Sequence, residues 1–172
     1  MSADRSRWPD WLLRADISDD AQITIDQDGQ VVWHSGHWDD GYWRGGTWRG
    51  GTWWGGAWLG GAWLGGNWVT GSWRGGYWHK GRWESGLWVR GYWSGGTWEN
   101  GLWRSGIWKG GTWHGGTWEG GTWGGGTWEG GNWKGGNWHG GTWKGGTWHG
   151  GTWEGGYWMY SNQPPQSRES KR

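Results

Sequence analysis

Tryptophan occupies residues 33, 38, 43 and every fifth position through 158, 26 positions without one insertion. The residue two before each is Gly in all 25 cases from Gly36 to Gly156, while the other three positions of the unit vary. The unit is therefore G-x-W-x-x. A phase that never slips excludes an ordinary mixture of helices, strands and unequal loops. It demands one small structural unit stacked many times. In extended backbone, alternate residues face the same side, so Gly and Trp share one restricted side and the free positions face elsewhere.

The composition asks how such a chain stays ordered. Its 172 residues include 44 Gly and 29 Trp, with no Phe and no Cys. Flexible Gly-rich linkers lack aromatic residues, because apolar surface drives collapse. This much indole implies an ordered chain. Only Trp8, Trp11 and Trp54 stand outside the register. The absence of Cys removes disulfides and thiolate metal sites from consideration.

The unit resembles the pentapeptide-repeat family, whose consensus is A-(D/N)-L-x-x. The resemblance covers residues 33–158. It implies a right-handed β-solenoid in which each quintet forms one side of a square coil of about 20 residues. Gly36, Gly41 and their successors then take the small inward role, and Trp38, Trp43 and theirs the central one. This chain departs from the family in carrying Trp where the family carries Leu or Phe. The variable residue two after Trp, often Gly or Asn, reads as the corner that needs a positive φ. On this reading six coils make a rod on the order of 30 Å long.

Two other architectures fit the same register. One is a triangular coil of 15 residues. The other is an antiparallel meander of three-residue strands, resembling MORN repeats, with turns at pairs such as Asp40-Gly41 and Asn100-Gly101. Charges on the residue after each Trp test the solenoids, since these stack from coil to coil. With His counted as basic, a spacing of 20 gives six opposite-sign pairs against two same-sign, and a spacing of 15 gives six against three. Glu84 with Arg104 is one of the pairs at 20. The count leans to the square.

Residues 1–32 read as an N-terminal cap: a short helix within Trp8–Arg14, then a hairpin around Asp28-Gly29. Residues 33–158 are the solenoid, and 159–172 a disordered tail, with Met159 and Tyr160 available to cover the last coil. Each buried indole N–H left unpaired costs about 1–3 kcal/mol, so each is expected to donate to a backbone carbonyl.

No catalytic, cofactor or metal constellation stands out. His114, His139 and His149 follow register tryptophans and read as solvated ion-pair partners. The core ladder is exemplified by Trp118, Trp123, Trp128, Trp133 and Trp138. The most local signal is an apolar outer belt, Trp54, Leu59, Leu64 and Val69, at four successive positions where other units carry charge. Such a belt marks an interface or a surface on which residues 1–30 fold back. With 16 basic against 15 acidic residues, no strong field points to a nucleic acid or membrane partner. No signal-peptide segment or apolar run of membrane-spanning length is present, which suits a cytoplasmic or virion-associated protein. The expectation is a non-catalytic rod, spacer or assembly subunit. Gly-Trp repeats of this kind look like those of phage and bacterial structural proteins. Partners are then other copies or another protein. The rival is a glycan-binding module using exposed Trp faces.

Overall fold

The computed structural model describes residues 5–159. After a single 3-10 turn at Arg5–Arg7, helix α1 spans Asp10–Leu13. Pro9 opens it, since its fixed φ and missing N–H cost nothing at a helix start, and Asp10 complements the dipole there. Strands β1 (Asp16–Ile17), β2 (Gln22–Ile25), β3 (Val31–Ser35) and β4 (His37–Asp40) follow. The turn between β2 and β3 is closed by Asp26, whose Oδ1 accepts from the backbone N–H of Asp28 and Gln30. From β5 (Tyr42–Trp43) to β28 (Tyr157–Trp158), every strand is a two-residue piece ending in a register Trp.

These pieces form three parallel sheets, in each of which a strand pairs with the third strand after it. Trp68 pairs with Trp53 and with Trp83, a register of 15 residues. The protein is thus an all-β parallel β-solenoid of about eight turns, and its cross-section is a triangle of five-residue sides. The square coil of 20 is corrected to 15, and the antiparallel meander is excluded by the parallel pairing. Glu84 and Arg104 fall on different faces. Below, the first face is the one beginning at Trp33, the second at Trp38 and the third at Trp43. At about 4.8 Å per coil the rod is about 40 Å long.

The physical reason for the triangle lies in what faces inward. Gly contributes no side chain, so one indole per side must fill the interior alone. Three do so. Within a coil, Trp98, Trp103 and Trp108 meet edge to face, with centroids 5.9 and 6.0 Å apart. Between coils each ring stacks on its counterpart, Trp103 lying 4.7 Å from both Trp88 and Trp118 at interplanar angles of 6 and 7°. A fourth side would open an axial channel that no side chain reaches, at a cost in lost dispersion contacts. Every register indole from Trp33 to Trp138 is 0% exposed. Each such burial contributes a few kcal/mol.

The invariant Gly proves to be the corner. Gly36 to Gly156 have φ between 93 and 137° at every fifth position, whereas among the described residues none that lies two after a register Trp has a positive φ. The expected assignment of the two positions is therefore reversed. A second constraint acts along the axis. A Cβ on Gly101 would lie 2.5 Å from the carbonyl oxygen of Gly86, one coil below, and 3.0 Å from its nitrogen. That carbonyl accepts the N–H of Leu102 at 2.9 Å, so the corner glycines share the inter-coil hydrogen bonds with the register Trp carbonyls, such as Trp88, which accepts the N–H of Arg104 at 2.8 Å. The neighbouring corner position has room for a side chain, which is why Lys80, Arg90 and Asn100 are tolerated there.

Indole N–H groups follow the packing. Six of them donate to the carbonyl 17 residues on, from Trp93 to Gly110 at 3.2 Å and from Trp133 to Gly150 at 2.9 Å, for example. Those from Trp33 to Trp88 are buried and meet no acceptor among the described residues. The expectation of a bond at every indole holds for part of the core only. Ring stacking sets the indole position, and it turns the N–H toward the Gly corner: Trp73 Nε1 would lie 3.0 Å from a Cβ on Gly91.

Candidate interaction surface

The two ends of the rod differ. At the N-terminal end each sheet edge has its own cover. β1 pairs antiparallel with β4 on the second face, and β2 pairs antiparallel with β3 on the first. The third face is closed by α1, whose Trp11 meets Trp43 edge to face at 5.2 Å, while Leu12 is 1% exposed. These covers occupy edges that otherwise recruit further strands. At the other end Trp148, Trp153 and Trp158 are only partly buried, and they pack on the preceding coil by one face. Met159 is 63% exposed, so it does not cover them. Tyr160 and the rest of the expected tail lie outside the described residues.

The belt of Trp54, Leu59, Leu64 and Val69 takes a different form in a triangle. Trp54, Leu59 and Leu64 ring one coil, on the second, third and first faces, and Val69 stacks above Trp54 because Trp68 pairs with Trp53. Trp54 is 48% and Leu64 37% exposed. Among the described residues, the N-terminal segment packs on Trp38 and Trp43 rather than on this belt. Sequence reasoning missed most of the apolar outer surface. On the first face the residue before each Trp gives the column Ala62, Tyr77, Tyr92, Ile107, and on the third face Leu87 stacks on Leu102. Tyr77 and Tyr92 bring their rings to 5.2 Å. The recurrence of Tyr and of Leu at a spacing of 15 was the available signal.

Beyond residue 100 the exposed columns are charged and pair along the axis at the same spacing. Glu119 lies between Arg104 and Lys134, at 3.9 and 3.8 Å. Lys144 donates to Glu129 at 3.0 Å, and His139 contacts Glu154. His114, His139 and His149 are exposed, and no group of three or more potential metal ligands occurs among the described residues. The candidate core residues Trp118, Trp123, Trp128, Trp133 and Trp138 are all 0% exposed.

Concave surface occurs where the cap meets the rod. A cleft of about 540 Å³ is lined by Asp10, Trp11, Arg14, Gly41, Tyr42 and Arg44, and a second of about 260 Å³ shares Trp11 and Arg44. Neither brings together a nucleophile and a base. No helix among the described residues is long and apolar enough to cross a membrane. Compared with known family models, curated proteins and solved structures, the chain matches none.

Proposed function

We propose that this protein is a non-catalytic rigid rod that associates with a second copy through its C-terminal end. The observation that carries this reading is the asymmetry of the ends: three cap elements close one, and three partly buried indoles form the other. The outer edges of β26, β27 and β28, which end in Trp148, Trp153 and Trp158, present backbone groups there that are unpaired among the described residues, and stacked rings offer a flat apolar face. Because among the described residues one end has covering elements and the other has none, the self-association is isologous and closes at a dimer. The reading of the coil as a tryptophan-centred relative of pentapeptide-repeat solenoids rests on its five-residue sides. Phage or bacterial assemblies are the setting we propose for such a spacer.

Light scattering coupled to size exclusion, with electron microscopy of the same fractions, tests the proposal. A concentration-dependent dimer about twice the rod's length is expected. Deleting residues 1–21 uncovers Trp38 and Trp43 and should convert dimers into longer filaments. A protein that stays monomeric at high concentration, with or without the deletion, refutes the reading.

A further inference from the structure

The near-zero net charge conceals a segregation that appears only once the 15-residue coil assigns residues to faces. Within 33–118 there are four carboxylates, Asp39, Asp40, Glu84 and Glu99. All four lie on the second face, after Trp38, Trp83 and Trp98, which belong to one sheet. The third and first faces, which meet at a shared edge, carry Arg44, Arg49, Arg74, Lys80, Arg90, Arg104 and Lys109 and no acid over that span. All seven are exposed. Arg44, Arg74 and Arg104 follow one column two coils apart, roughly 10 Å per step. Of the seven, only Arg104 has a carboxylate partner among the described residues, Glu119 at 3.9 Å, where the basic span ends.

The same two faces hold the apolar columns. Tyr77 is 64% and Ile107 42% exposed beside these cations, with Tyr92 between them in the same column. The combination identifies the occupant. Basic side chains alone fit any polyanion. A single-stranded nucleic acid calls for a groove with open aromatic faces, but here the two tyrosines lean on each other and the remaining apolar residues are aliphatic, on a convex edge. Aliphatic side chains bury in acyl chains, tyrosine rings sit at the headgroup level, and Arg and Lys attract anionic headgroups.

We infer that the edge between the third and first faces, from Arg44 to Ile107, is a docking surface for an anionic lipid bilayer, on which the rod lies lengthwise. This does not depend on dimerisation, since a monomer presents the same edge.

Flotation of the full chain with vesicles tests it. Binding is expected to phosphatidylcholine vesicles containing phosphatidylglycerol and not to phosphatidylcholine alone. Arg74→Glu with Arg104→Glu should weaken it by roughly tenfold or more. Tyr77→Ser with Ile107→Ser should leave low-salt binding but abolish what survives in high salt. Lys144→Glu, on the second face, serves as the charge control and should change little. Unshifted tryptophan emission confirms that each variant retains its core. Equal binding to neutral vesicles, no binding to anionic ones, or an equal loss from Lys144→Glu overturns the inference. So does single-stranded polynucleotide that binds more tightly than the vesicles and displaces them.

Discussion

Gly120 and Gly121 are adjacent, identical in sequence and opposite in what they permit. Gly121 has a φ of 107°. An Ala there must adopt a backbone region that L-residues avoid at about 1–3 kcal/mol. Its Cβ would also lie 2.8 Å from the nitrogen of Gly106, and nearer still to the carbonyl oxygen that accepts the N–H of Thr122 at 2.9 Å. Relief requires the coils to part. That loses one hydrogen bond, about 1 kcal/mol, and slackens the contact of Trp123 with Trp108, now 4.9 Å between centroids. With about 1 kcal/mol for the loosened ring pair, the total is about 3–5 kcal/mol. At Gly120 a Cβ meets only the carbonyl of Arg104, at 3.7 Å, with no positive φ. Gly120→Ala should be neutral or stabilise by about 0.4–1 kcal/mol through the unfolded state. Denaturant unfolding followed by tryptophan emission, with midpoints compared at unchanged slope, measures both. Equal destabilisation by the two substitutions, or a harmless Gly121→Ala, refutes the corner assignment.

Position along the core should matter as much as residue type. Trp103→Ala removes a ring stacked on both sides at 4.7 Å and should cost about 3–5 kcal/mol. Trp153→Ala, at the partly buried end, should cost far less, and equal midpoints for the two would contradict a continuous ladder. A double-mutant cycle on Glu129 and Lys144 should give a coupling of about 0.2–1 kcal/mol, as for other part-exposed pairs. The same cycle on Glu84 and Arg104 should give none. Coupling at Glu84 alone would restore the square coil.

The inward Trp and the solenoid were legible because a phase without insertions has few physical solutions. The number of sides was not. Charge pairing at 15 and at 20 differed by a single same-sign pair, and ion pairs on an exposed column carry too little energy to shape the sequence strongly. Interior volume decided the matter, and volume is invisible in a repeat pattern. The corner was misread for a related reason: strand alternation placed the invariant Gly beside Trp on the inward side, and only its positive φ and Gly86 standing beneath Gly101 show that its invariance serves the corner. The apolar strip escaped because residues such as Tyr77 and Tyr92 become neighbours only after the coil length is known. Conversely, a short helix within Trp8–Arg14 and a hairpin around Asp28-Gly29 were legible locally, and α1 and the β2–β3 turn lie there.

The 15-residue coil also has a consequence for how such a chain can change length. Duplicating three units lengthens the rod by one coil, about 4.8 Å, and returns every later residue to its former azimuth. Duplicating one unit instead turns everything downstream by a third of a revolution. A single five-residue insertion ahead of Arg74 would thus carry the later cations onto another face while leaving every indole stacked. Length and angular phase are independently adjustable in this architecture, so the molecule can act as a ruler whose graduations are coils and whose pointer is set in thirds of a turn.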